Sequence, residues 1–292
     1  MEKVHAQHLD KLTYFGAKYL GQAGQNLYLA ALFLVAARGP SASLGLSSLF
    51  VAILVPAIVF GLPAGALVDK LGAARGYLVG AVLRLGSIGL GLAILPAHPE
   101  LAWLIAFTYS TGSQVFTPAE MAMVPAVQAN AAGRAHSTLI ALQYAGQGTG
   151  MIVLAPALYL LGGPVLMLSG AVAAYAAVTG AALFLDTRLR GTVAGLRLPA
   201  RRAFAFRETF AYFNRERLAG YAVALQGFKA VGGKCMVIAL PFYIERDLGL
   251  PPAALAYLVV PCVVGVCAGL VWAGRSARMD SAASMMRLAF LG

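Results

Sequence analysis

Charge inside apolar sequence is rare in this chain, and that is where chemistry would be done. Glu120 is the one acid placed well inside an apolar segment, and Lys18, Arg84, Lys229 and Lys234 are cations placed the same way. Such groups are costly in hydrocarbon unless they are paired, protonated or in contact with water. Amides and hydroxyls accompany them. Lys18, Gln22, Gln25 and Asn26, with Tyr14 ahead of them, follow one face at helical spacing, and Gln114 and Glu120 stand with Ser110, Ser113 and Thr117 near one face of another segment. Gln143 and Gln147 are one helical turn apart, and Gln226 shares a face with Lys229. Lys234 lies about 140° further round at ~100° per residue. These residue types support ion pairing, proton carriage and the holding of an anion or polar solute.

Bond-making chemistry has no comparable signature. The sequence has no GxSxG, no HExxH and no paired catalytic carboxylates, and GGKC at 232–235 has the wrong spacing for a phosphate loop, with Cys235 where Ser or Thr belongs. Cys235, Cys262 and Cys267 fall in apolar segments without a CxxC, so they read as small core residues. His5, His8, His98 and His136 lie in the tail, loops or a helix start, which leaves no histidine relay in mid-segment. The expectation is a non-enzyme with no metal and no cofactor.

The elements that must position these residues follow from composition. Of 292 residues, 60% are hydrophobic and 11% are charged, with a mean hydropathy of +0.77. Soluble domains carry about 25% charged residues, so this chain cannot cover a water-facing surface and the bilayer is its solvent. A net charge of +11 is then a matter of loop anchoring and not of nucleic acid. A helix needs about 20 apolar residues to cross the hydrocarbon core, which predicts spans at 12–37, 43–68, 76–96, 100–128, 136–161, 164–185, 219–243 and 252–273. A ninth begins near 283 and is cut at Gly292. The first apolar run is too long for a signal-peptide core, so it is read as a retained span.

The basic residues alternate with the spans. Lys3 and Lys11, Lys70 and Arg75, Arg134, eight arginines in 186–218, and Arg275 and Arg278 fall on one side, against Arg38 and Arg246 on the other. That asymmetry predicts a cytoplasmic N-terminus in the inner membrane. Arg84 and Glu120 then each lie about eight residues from the cytoplasmic ends of their spans, ~12 Å deep at ~1.5 Å per residue. They are candidates for pairing, with Lys18 as a rival partner for Glu120. The 186–218 linker ends in ARRAFAFRETFAYFNRER, where Phe206, Phe210 and Phe213 recur at helical spacing, predicting an amphipathic helix on the membrane surface. The GxxxG pairs 61/65, 76/80, 146/150 and 265/269 read as packing devices.

A shift of 205 residues lays 53–70 on 258–275, with Val55-Pro56 on Val260-Pro261 and Lys70 on Arg275, as in a parallel repeat of two halves. GALVDKLGAAR, with Gly65, Asp69, Lys70, Gly72 and a slightly displaced Arg75, resembles the loop signature of the major facilitator superfamily. FTPAEMAMVPAVQANAAGRAHS (116–137) is similar to a bacterial exporter branch that includes siderophore and multidrug exporters; that stretch and YLGQAGQNLYLAALFL also resemble the lysophospholipid transporter, with Gln25 where an acid is common in the latter motif. Gly146, Gly148 and Gly150 only partly match the antiporter signature, since Ala155 and Tyr159 replace glycines.

The resemblance implies an all-α membrane protein of the major facilitator type. It divides the chain into a six-helix bundle (1–185), a basic cytoplasmic linker (186–218) and an incomplete second bundle (219–292). The family has twelve spans, so the chain reads as truncated in the ninth. The resemblance also implies that Lys18, Gln22, Gln25, Asn26, Gln114, Gln143, Gln147, Gln226, Lys229 and Lys234 line a substrate cavity. Gly65, Asp69, Lys70, Gly72 and Arg75 would form a gating loop, with Asp69 facing a span beyond Gly292. Glu120, with Arg84, is then the candidate for proton coupling or an ion pair. The expected partners are membrane lipids, a small anionic or zwitterionic solute and protons, for a monomeric exporter. A lysophospholipid mover and a non-transporting membrane scaffold or sensor are the alternatives.

Overall fold

The computed structural model describes residues 2–37, 42–127, 132–194 and 206–217, with short pieces at 220–225, 227–228, 232, 249, 265 and 268–269. The last three expected spans lie for the most part outside the described residues. Two compact units are present, Met1–Ala203 and Phe204–Gly292.

Among the described residues the chain is helical and has no strand. The first unit contains α1 (Glu2–Ala37), α2 (Ala42–Leu71), α3 (Ala73–Ile94) and α4 (Ala102–Val127), the last preceded by a short 3-10 turn Pro99–Leu101. α5 (Ala132–Gly148) then runs through a π-helical turn, Thr149–Leu154, into α6 (Ala155–Ala194). Backbone groups in hydrocarbon must be satisfied internally, which is why a chain this apolar resolves into helices.

α6 is not one rod. Gly162 and Gly163 are non-helical, and Gly163 takes φ +65, a conformation open to glycine and strained for other residues. Pro164, which supplies no N–H, starts the next stretch. Gly146 and Gly150 lie against Tyr19, Gln22 and Ala23 of α1, and Ala174, Tyr175 and Val178 lie against Gly21 and Gly24 of the same helix. Residues before and after the break thus meet one level of α1, so the chain folds back at 162–163. The expected boundary between the fifth and sixth spans falls there.

The turn between α2 and α3 is shorter than the expected loop 69–75. It is Gly72 alone, at φ +85, and its N–H donates to the Val68 carbonyl at 2.8 Å while its carbonyl accepts from Gly76 at 2.9 Å. Asp69 and Lys70 are therefore the last turn of α2, and Arg75 is in the first turn of α3. α1 also starts ten residues before the expected span, because the polar tail simply continues the helix.

Four stretches, Gln7–Ala37, Gly45–Leu71, Ala73–Ile94 and Thr138–Leu189, are long and apolar enough to cross a bilayer. The outward surface agrees. Ile58 is 76% exposed on α2, and Leu160 and Leu161 are 84% and 78% exposed, an arrangement suited to lipid and not to water. α4 is not among the four because Ser110, Ser113, Gln114, Thr117 and Glu120 lower its apolarity. Those residues have protein partners to meet, since α4 packs against both α2 and α3.

The core lies between α1, α3, α4 and α6, where Tyr14, Tyr28, Tyr77 and Tyr175 are fully buried among Leu27, Ile88, Ile105 and Met123. Close approach of α3 and α4 depends on Gly80, where a Cβ would fall 2.5 Å from the Phe116 Cα. The 76/80 and 146/150 glycine pairs sit at helix contacts as expected of packing devices. The 61/65 pair does not: nothing closer than a side-chain atom of Gln114 at 3.9 Å meets Gly61, and nothing within 4 Å meets Gly65.

The second unit contributes α7 (Phe206–Arg215), within the expected amphipathic stretch of the linker.

Candidate functional site: a buried ion pair beside a tyrosine-caged arginine

α1 and α4 meet through one charged contact. The Lys18 Nζ donates to Glu120 Oε2 at 2.6 Å, with the two residues 4% and 2% exposed. Tyr14, one turn earlier on the same face of α1, donates its hydroxyl to the Glu120 carbonyl at 2.7 Å. The spacing of Tyr14 and Lys18 places both groups on one face, so the helix presents two donors to one residue of α4. A short charge-assisted contact of this kind suits a site from which water is excluded.

Arg84 is held differently. Its Nε donates to Ser113 Oγ at 2.9 Å and its Nη1 to the Tyr175 hydroxyl at 3.3 Å. The guanidinium carbon lies 4.0 Å from the Phe116 ring centre and 5.3 Å from that of Tyr109. Tyr109 and Tyr175 share a hydrogen bond between their hydroxyls at 2.6 Å, and Ser113 in turn donates to the Tyr109 carbonyl at 2.9 Å. Tyr28 completes the cage with its ring 4.5 Å from Tyr109 and its hydroxyl donating to the Ile105 carbonyl at 3.0 Å.

Arg84 does not pair with Glu120; among the described residues the rival, Lys18, takes the acid. The reason is register. Gly80 faces Phe116 and Gly112 faces Leu83 and Arg84, so Arg84 stands opposite Ser113 and not opposite Glu120. The equal depth inferred from the sequence assumed that α3 begins at 76. It begins at Ala73, and the contact of Gly76 with Ala119 puts Glu120 level with the first turn of α3, eight residues before Arg84. That offset is about 12 Å at ~1.5 Å per residue.

A polar seam joins α1 to the α5 side. Gln147 Nε2 donates to Gln22 Oε1 at 3.4 Å, a long and weak contact, and Asn26 Nδ2 donates to the Gln22 carbonyl at 2.9 Å. The Tyr19 hydroxyl bonds Thr149 Oγ1 at 2.8 Å at the start of the π-helical turn. Such turns recur at functional positions in helices. Gln25 and Gln143 are half-buried on the same two helices, and Gln114 is turned to its own helix, donating to the Ser110 carbonyl at 3.2 Å. Gln226, Lys229 and Lys234 lie outside the described residues.

Asp69, Lys70 and Arg75 are exposed at the α2–α3 turn, with Gly72 as its pivot and Gly65 half-buried on α2. The ion pairs among the described residues join Lys18 to Glu120, His98 to Glu100 and Arg188 to Asp10, so Asp69 is in none of them. The Arg188–Asp10 contact, at 3.2 Å, ties the end of α6 to the start of α1. No cluster of three or more His, Cys, Asp or Glu suited to a metal occurs among the described residues.

Sequence reasoning missed Tyr19, Thr149, Tyr109 and Tyr175. Each looks like ordinary apolar or small-polar filling. The only available signal is position, since Tyr19 is one turn before Gln22 and Thr149 is two residues after Gln147. No family model, no curated protein and no solved structure matches the chain.

Proposed function

We propose that the chain is a secondary transporter of the major facilitator type that exports a small amphiphilic, anionic or zwitterionic solute by alternating access. The N-terminus is cytoplasmic in this reading. The carrying observation is the Lys18–Glu120 pair, an acid and a base buried together at 2.6 Å in an otherwise apolar helical bundle. Ionisable groups at such depth are expensive and tend to mark solute or proton pathways. The amide and hydroxyl seam of Gln22, Asn26, Gln147, Tyr19 and Thr149 supports the same reading, because it adds polar partners on the helix that carries Lys18. In the proposed cycle, opening of the pair frees Lys18 for a solute anion and lets Glu120 take a proton.

The test is proton movement in proteoliposomes carrying an internal pH dye, driven by matched anionic, zwitterionic and cationic amphiphiles. The anionic or zwitterionic member should move protons, and Glu120→Gln should remove that movement while solute binding persists. Lys229→Ala and Lys234→Ala should weaken binding of the anionic member. Equal or stronger binding and transport of the cation would overturn the solute class. Absence of binding and proton movement with all three would overturn the transporter reading.

A further inference from the structure

α7 is ten residues of helix whose phenylalanines share one face, with its arginines off that face and Tyr212 about 120° from Phe206 at ~100° per residue. Phe206, Phe210 and Phe213 fall within about 60° of one another, while Arg207 lies about 100° and Arg215 about 180° from Phe206 at ~100° per residue. From 211 to 217 the side chains are exposed except for a half-buried Phe213, and Tyr212 is 57% exposed beside it, with the two rings 5.8 Å apart. Among the aromatic side chains described in α7, Tyr212 is therefore open and Phe213 partly so, on a helix set among bases. Between 201 and 217 the chain holds Arg201, Arg202, Arg207, Arg215 and Arg217 against Glu208 and Glu216.

We propose that α7 is a docking element for anionic phospholipid headgroups, held at the surface of the bilayer that the first unit spans. The occupant follows from charge and tethering together. A zwitterionic surface would take the phenylalanines and offer its phosphates to the arginines, but without the net negative potential that draws five bases to it. An anionic surface takes both, because long guanidinium stems can lie along the interface and reach phosphate while the rings sink below it. Each base near an anionic surface adds roughly fivefold to partitioning at moderate salt. Three phenylalanines alone would hold a free peptide weakly. Here only residues 195–205 separate the helix from the end of α6, a reach of at most ~3.5 Å per residue. The tether keeps the local concentration high and makes modest affinity sufficient. Occupancy of α7 should then report the anionic content of the leaflet it faces.

This inference rests on the chain being embedded in a bilayer and is independent of what it transports. Hydrogen–deuterium exchange of 206–217 in the intact chain tests it directly. The chain is placed in nanodiscs of phosphatidylcholine alone or with roughly a third phosphatidylglycerol. Exchange should slow about tenfold or more with the anionic lipid. It should return to the phosphatidylcholine rate near ~1 M salt, where the screening length is about 3 Å. The combined Arg207→Gln, Arg215→Gln and Arg217→Gln variant should lose the lipid difference and keep the slow exchange of α3 and α4, which checks that the bundle is folded. Equal protection in both lipids would overturn the proposal in favour of a protein-covered or purely apolar contact. Equal absence of protection would overturn it outright.

Discussion

Among the described residues the bundle buries two cations, and it treats them in opposite ways. Lys18 has a carboxylate at 2.6 Å, whereas Arg84 has ring faces and hydroxyls. The difference follows from the two head groups. An ammonium is a compact, strongly hydrated point charge, and once water is removed it needs a concentrated negative partner. A guanidinium is planar and more weakly hydrated, so it can lie on Phe116 and spread its donors over Ser113 and Tyr175. One site therefore depends on a second charge that can be removed or protonated, and the other does not. The first can be broken by the loss of one partner, and the second holds α3, α4 and α6 together.

The largest expected effect comes from breaking the pair on one side only. Glu120→Leu leaves Lys18 buried without a counter-charge and should cost about 3–5 kcal/mol. Thermal unfolding in detergent should show this as a large loss of Tm. The double variant Lys18→Met/Glu120→Leu should recover most of it, since replacing both charges with apolar groups is close to neutral. If the single and double variants are equally unstable, the pair is not the isolated charge contact described here.

The arginine site sharpens the contrast at a smaller scale. Arg84→Lys keeps the charge but loses the flat stack and the fork. It should cost about 2 kcal/mol, more than Arg84→Met at about 1 kcal/mol, because the methionine leaves no buried charge and the Tyr109–Tyr175 bond survives. The same thermal measurement decides it. A less harmful lysine would mean that charge, not shape, holds the cage.

The smallest effect separates two tyrosines whose rings lie 6.3 Å apart. Tyr14→Phe removes the donor to the Glu120 carbonyl and should cost about 1 kcal/mol. Tyr77 is fully buried and its hydroxyl has no hydrogen-bond partner among the described residues. Tyr77→Phe should accordingly be neutral or stabilising by up to about 1 kcal/mol. A clear loss of Tm in Tyr77→Phe would show that its hydroxyl is satisfied by an internal water.

Much of the framework was legible because composition and periodicity are local properties. The apolar runs behind α1, α2 and α3 and the break at 162–163 could be read directly, and so could the amphipathic pattern of α7. Helix ends were less legible. The stretch 69–75 reads as a polar loop, yet one glycine at positive φ lets both helices run through it. The glycine pairs also read alike, and only two of the three in described sequence meet a neighbouring helix. A motif states that close approach is possible, and the neighbour decides whether it happens.

The sequence by itself determined that the chain lives in a bilayer as helices, that Glu120 needed a partner at depth, and that Lys18 and Arg84 were the bases in reach. Charge and hydropathy make those statements without coordinates, because desolvation acts on each residue where it stands. Which base won was decided by the tertiary structure alone. α3 and α4 lock in the register set by Gly80 against Phe116, and this carries Arg84 past Glu120 into the tyrosines. α1 then fills the vacancy with Lys18. A register is a property of two packed surfaces, which the composition of either helix alone does not fix.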